Sequence, residues 1–181
     1  MNTPYNLQTT SINPANLMEL QVLSQVVADK QGKNDIKGSI PYLAKMTQII
    51  DHQQIPKQNG NNKNNNISDK NNNDNSNSNN NNPQSNKKEQ QRILFSLQAD
   101  AYKQLGDAYL KTGQYIQAEA SFTMSTKRLE LLCKKNDVRP NNETRLELME
   151  LYDKLIQCYQ YMNKPHMVRG IEDRKLKYLP S

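Results

Sequence analysis

The stretch ADAYKQLGDAYLKTGQYIQAEASFTMSTKRLE, residues 99–130, decides the reading of this chain. Apolar and small residues recur at three- and four-residue steps on both sides of one break. Upstream they are Ile93, Leu94, Leu97, Ala101, Leu105, Ala108 and Tyr109; downstream they are Tyr115, Ala118, Phe122, Ser125, Leu129, Leu132 and Cys133. That is the spacing of one face of an α-helix, and no segment of the chain alternates as a strand would. The break is Thr112-Gly113, and glycine suits the left-handed position just past a helix end. The pattern predicts helices over about 88–111 and 115–133. The link between them is so short that they must form an antiparallel hairpin.

The same punctuation recurs on either side. Asn13-Pro14 is a helix start, because Asn can cap and Pro is favoured at the first helical position. Leu17, Leu20, Val22, Leu23, Val26 and Val27 then run to about Lys30, where Gln31-Gly32-Lys33-Asn34 ends the helix. Asp35 can cap a second helix carrying Ile36, Ile40, Leu43, Met46, Ile49 and Ile50 and ending near His52. Pro41 lies inside that pattern, where it would kink the helix or delay its start. Towards the C-terminus, Asn136 to Asn142, with Pro140, is a loop. Thr144 can cap a fifth helix, with Glu147 completing a capping box. Its apolar positions are Leu148, Leu151, Tyr152, Leu155, Ile156, Cys158 and Tyr159. Asn163-Lys164-Pro165 repeats the cap-then-proline start, and a last helix carries Met167, Val168, Ile171 and Leu176 to Tyr178. The expectation is an all-α chain of about six helices in three antiparallel hairpins.

Between the first hairpin and the rest lies a different kind of sequence. From Gln58 to Asn86 the chain is almost wholly Asn, Ser, Lys and Asp, which holds overall hydrophobic content to 34%, against roughly 45–50% for an ordinary globular domain. Such a tract has nothing to bury against its ordering entropy, so it reads as a disordered Asn-rich insert. The expected organisation is a flexible leader over 1–13, a helical hairpin over 14–52, the insert over 53–87 and a two-hairpin domain over 88–178.

Within residues 99–130 the order is Tyr102, then Leu105-Gly106, then Tyr109, Gly113, Tyr115, Ala118, Phe122 and Ser125. This resembles one tetratricopeptide repeat: an aromatic, Leu-Gly, Tyr, Ala, then Phe and a small residue, over a 34-residue period. The resemblance implies that Gly106 and Ala118 mark a close approach of two helices, that Tyr102, Leu105, Tyr109 and Phe122 fill the space between them, and that Gly113 makes the turn. Leu23, Val26, Asn34, Ile36, Ser39, Leu43 and Met46 of the first hairpin fall in the same register, as do Tyr152, Leu155, Tyr159, Asn163, Pro165 and Val168 of the third. The third departs from the pattern, with Ile156 in the glycine's place and Glu172 in the phenylalanine's. It also lies 50 residues after the second, counted from Leu105 to Leu155. Helix-hairpin arrays with larger repeats, as in kinesin light chains, look similar.

The resemblance further implies a concave groove lined by the first helix of each hairpin, where an extended peptide or a partner helix could lie. The polar positions facing it are Asp100, Lys103, Gln104, Asp107 and Lys111, and in the next hairpin Asp153, Lys154, Gln157 and Tyr161. The family's clamp for carboxylate tails needs Lys and Asn at set positions. Lys103 matches one, but Asp107 stands where Asn is expected and would repel a carboxylate. The expected role is therefore that of a protein-binding adaptor or assembly subunit with some other ligand.

Motifs for chemistry are missing. His52 and His166 have no Asp, Glu or Cys at ligand spacing, and the chain has no Gly-rich phosphate loop, GxSxG or HExxH. The reading is therefore non-enzymatic, with no metal or other cofactor. Cys133 and Cys158 fall at apolar helical positions and in no ligand spacing, as reduced core residues of an intracellular protein do. No run approaches the ~18 apolar residues of a membrane span, and the first residues have neither a signal nor a transit pattern, so a cytoplasmic or nuclear, non-membrane protein is expected. The net charge is +6, with 17 Lys and Arg against 12 Asp and Glu from Lys87 onward. An alternative follows from that excess. Lys127, Arg128, Lys134, Lys135 and Arg139, together with Arg169, Arg174, Lys175 and Lys177, could merge into a face that contacts nucleic-acid phosphates. No basic stripe with interleaved aromatics supports it.

Overall fold

A computed structural model describes residues 13–53, 83–135 and 142–178. The described residues fold as six helices: α1 (Pro14–Gly32), α2 (Ile36–Asp51), α3 (Pro83–Lys111), α4 (Tyr115–Lys135), α5 (Asn142–Tyr161) and α6 (Pro165–Leu176). Among the described residues there is no strand. The packing follows chain order, with each helix resting mainly on the one before and the one after. This is an all-α array of helical hairpins.

The three hairpin turns share one geometry. Asn34, Gly113 and Asn163 all have positive φ, at 58°, 75° and 54°. The following residue in each case donates its N–H to the carbonyl five residues back, Asp35 to Lys30, Gln114 to Tyr109 and Lys164 to Tyr159, at 2.8, 2.9 and 2.9 Å. Two of the carbonyls left over at each helix end are met in this way, and only Gly or Asn takes the left-handed position at little strain. The turns fix a register for the array. Gly113 follows Asn34 by 79 residues, and Asn163 follows Gly113 by 50.

Local chemistry sets most of the helix starts. The Asn13 side chain accepts from the Ala15 N–H at 3.0 Å, and the Asp35 carboxylate accepts from the Gly38 N–H at 2.8 Å. Pro41 neither delays nor ends α2, which runs from Ile36 to Asp51. The proline sits in the second turn on the exposed side, where one lost backbone hydrogen bond is the main cost. Four expectations need correcting. Asn163 does not cap α6: it is the left-handed residue closing α5, and the N-cap is Lys164, with no side-chain cap bond. Thr144 is the third residue of α5, which starts at Asn142, so it is too deep in the first turn to be the cap. Helix α3 begins at Pro83, five residues before Lys88, because proline suits a first turn and the polar residues after it tolerate helix. Val22, grouped with the apolar stripe of α1, is 65% exposed. Residues 1–12 and 54–82, where most of the leader and the Asn-rich insert fall, lie outside the described residues, as do the loop over 136–141 and residues 179–181.

Two clusters of buried side chains hold the array. Val27, Ile40, Leu43, Leu105 and Ala108 join α1, α2 and α3. Ala118, Phe122, Leu148, Leu151, Tyr152, Leu155 and Ile171 are among those joining α4, α5 and α6, with Ala99 of α3 beside them. Tyr109 packs against both clusters. Between α3 and α4, a Cβ added at Gly106 would lie 2.6 Å from Cε1 and 2.7 Å from Cδ1 of the fully buried Phe122 ring. That spacing is why a glycine is needed at this crossing.

A polar tie repeats between hairpins. In register, Tyr102 corresponds to Tyr152 and Asp51 to Glu130. Burial, then the charge of Asp51, raises the pKa of the Tyr102 hydroxyl, and the Tyr152 hydroxyl donates to Glu130 Oε1 at 2.7 Å. Each acid also receives an arginine from the following hairpin, Arg128 on Asp51 at 2.8 Å and Arg174 on Glu130. Burial, then hydrogen bonding to Glu130, pushes the Tyr152 hydroxyl far above its ordinary pKa, so it stays a donor.

Candidate protein-binding face

The candidate groove residues sit on α3 and α5 in matching register. Asp100 pairs with Glu150 in position, Lys103 with Asp153, Gln104 with Lys154, Asp107 with Gln157, and Lys111 with Tyr161. The structure brings several of them together across the helices. Lys103 Nζ lies 2.9 Å from Glu150 Oε2. Lys154 Nζ lies 2.6 Å from Asp107 Oδ1 and 2.9 Å from Glu150 Oε1. The Lys154 ammonium also stands 5.6 Å from the Phe122 ring centroid. Gln104 Nε2 donates to Asp100 Oδ2 at 2.8 Å. Lys175 of α6 pairs with Asp153. Tyr161 stacks on Tyr115, ring centroids 4.5 Å apart. Lys111 and Gln157 stand exposed.

These polar positions therefore have a structural task that their sequence pattern concealed: four charges, Lys103, Asp107, Glu150 and Lys154, pin α3 to α5. The protonation states follow from that arrangement. Burial of Lys154 favours its neutral form, but the hydrogen bonds to Asp107 and Glu150 outweigh it and hold the pKa above the ordinary lysine value. For Glu150, partial burial pulls upward, and Lys103 and Lys154 together bring it below the ordinary carboxylate value. Glu150 is the residue that sequence reasoning missed. The available signal was the 50-residue offset, which places it where Asp100 stands in the preceding hairpin.

On α5, Leu146, Glu150, Asp153, Gln157 and Tyr161 recur at steps of four and three and are all exposed. Leu146 is 67% exposed and Tyr161 57%. The helix thus presents a stripe about 22 Å long, polar in the middle and apolar at both ends.

The basic faces of α4 and α6 do not stand free as a sheet of cations. Arg128 is held on Asp51 and lies 5.8 Å from the Phe95 ring centroid. Arg174 is held on Glu130 and lies 5.6 Å from the Tyr152 ring centroid. Lys175 is held on Asp153. Lys127, Arg169 and Lys177 are exposed. The side chains of Lys134 and Lys135, and all of Arg139, lie outside the described residues.

Among the described residues no group of three or more His, Cys, Asp and Glu is arranged to hold a metal ion. His52 and His166 are both exposed, and His52 Nδ1 is 2.7 Å from the Gln48 carbonyl of its own helix. Cys158 is buried and Cys133 half-buried. Burial, then the charge of Glu119, pushes the Cys158 thiol up to about 11. Among the described residues no helix is long and apolar enough to cross a membrane. Compared with protein-family models, curated proteins and solved structures, the chain matches none.

Proposed function

We propose that this chain is a non-catalytic protein-interaction module of the tetratricopeptide kind, an adaptor or assembly subunit. A partner segment lies along the face shared by α3 and α5. What supports the reading is the exposed stripe of α5, with Leu146 and Tyr161 as apolar anchors about 22 Å apart and Glu150, Asp153 and Gln157 between them. Apolar anchors around exposed polar groups suit recognition of a peptide or helix. An extended segment of about seven residues spans that distance. The charges pinned between α3 and α5 favour this use, because a rigid face loses less entropy on binding. The phosphate-binding alternative has less to work with, since Arg128, Arg174 and Lys175 are already neutralised within the fold.

The test is a photo-crosslinking residue at Gln157, compared with one at the exposed Pro41 of α2, in cell extract. The expected outcome is a discrete set of crosslinked proteins at position 157 alone, lost in a Leu146→Glu chain and unaffected by nuclease. Crosslinks independent of Leu146, or abolished by nuclease, would overturn the reading and return attention to Lys127, Arg169 and Lys177.

A further inference from the structure

The register of the array says what its two end faces are built to meet. Hairpin packs on hairpin at two junctions, α2 against α3 and α4 against α5. At the first, the Thr47 hydroxyl is 3.3 Å from the Ala101 carbonyl oxygen, and both residues are buried. At the second, the same register positions are Thr126 and Leu151, 1% and 0% exposed. Carried on to α6 and back to α1, the two positions are Leu176 and Val22. These are large apolar side chains left 63% and 65% exposed. Positions that are buried at both interior junctions are thus apolar and uncovered at both ends.

A neighbouring position changes in the same sense. Tyr152 gives a hydroxyl hydrogen bond to Glu130 on the preceding hairpin, and Tyr102, its register equivalent, stands beside Asp51 there. Their counterpart on α1 is Leu23, which needs no acid. Met18, 69% exposed, extends the patch along α1. One feature opposes closure. Tyr159 donates to Glu119 at 2.8 Å inside the chain, but the corresponding residues at the ends are Lys30 and Arg169. Lys30 is held by Asp35 at 3.0 Å, so the meeting is of like charges, one of them partly neutralised.

We propose that copies of this chain stack head to tail, α6 of one copy packing on α1 of the next, with Leu176 set against Val22. The occupant is a second copy because each chain carries both halves of the same junction, in the register that it already uses twice internally. The two halves differ, so the contact is heterologous and builds a row of copies, open or joined into a ring according to its rotation. The like-charge pair makes the contact weak at low ionic strength and tighter as salt screens it. The proposal is independent of the α5 stripe, which lies at neither end.

The test is sedimentation of the full chain from micromolar to millimolar concentration, at low and high ionic strength. The variants are Val22→Asp, Leu176→Asp and both together, each first matched to wild type in helical content. Wild type is expected to grow in weight-average mass without levelling at dimer, more so at high salt. Each single variant is expected to associate at least tenfold more weakly. An equimolar mixture of the two single variants is expected to form a 1:1 dimer and nothing larger, because the intact α6 of V22D meets the intact α1 of L176D. Three results would overturn the proposal: wild type monomeric throughout, a mixture that fails to pair, or V22D abolishing association that L176D leaves untouched, which would mark a symmetric α1-to-α1 contact.

Discussion

Replacing Gly106 by alanine places one methyl group between α3 and α4. The new Cβ would stand 2.6 Å and 2.7 Å from two atoms of the Phe122 ring, where carbon atoms normally rest about 3.5–4.0 Å apart. The ring must withdraw by about 1 Å, yet Phe122 is fully buried and flanked by Ala118, which is equally buried. Overpacking of this kind costs about 1–3 kcal/mol. Against it, alanine in a helix interior is favoured over glycine by about 1 kcal/mol. The contacts are short enough for the clash to dominate, so Gly106→Ala is expected to lose about 1 kcal/mol, read by urea denaturation followed through helical circular dichroism. The decisive comparison is in a Phe122→Leu background. There the methyl has room, and Gly106→Ala should be neutral or stabilising. An equal effect of Gly106→Ala in both backgrounds, or a gain beside the intact ring, would refute the close-approach argument. The third hairpin already contains the complementary case. Ile156 takes the glycine's place there, where the ring's position is held by Glu172, an exposed residue.

Other outcomes follow from the same geometry. Gly113, at φ 75°, should lose about 1 kcal/mol on change to alanine, whereas Asn163→Gly at φ 54° should be neutral or slightly stabilising by the same assay. Tyr152→Phe removes one donor from the half-buried Glu130 carboxylate and should cost about 1–2 kcal/mol, with Arg174→Gln adding less to it than to wild type. Because its folded pKa lies below the unfolded value, Glu150 contributes stability that is fully present above its ordinary pKa, 4.5, and is lost as pH falls through the lower folded value. Glu150→Gln should flatten that acid limb in a pH series of melting curves, by well under 1 kcal/mol because the group is half exposed. Cys158, buried and shifted up to about 11, should alkylate far more slowly than half-buried Cys133 in the native chain at neutral pH, followed by mass spectrometry.

The helices and their pairing were legible because two local signals agree. Three- and four-step apolar spacing marked the faces, and Asn34 and Gly113 marked two of the turns. Where only one signal was present the reading slipped. Pro83 to Lys87 has no apolar residue to show periodicity, so the start of α3 was invisible, and Val22 has the right chemistry on a face that no helix of this chain covers. At Asn163 the slip was one of role, because an Asn before Lys-Pro fits a cap as well as a left-handed closing residue. The candidate face was legible as a set of positions and not as a network. Lys103 with Glu150 and Lys154 with Asp107 are each separated by 47 residues. Such a pairing depends on how α5 is set against α3, which no local pattern encodes.

Tyr109 is the side chain that both cores share. In an array where each helix leans mainly on its sequence neighbours, melting can begin at either end and stop at any joint that is looser than the rest. A ring gripped from two sides makes the joint between the halves difficult to leave half-open. Loosening α1 and α2 strips one side of Tyr109. A change that grips or frees the first hairpin therefore alters one of the two surfaces against which the Tyr109 ring packs.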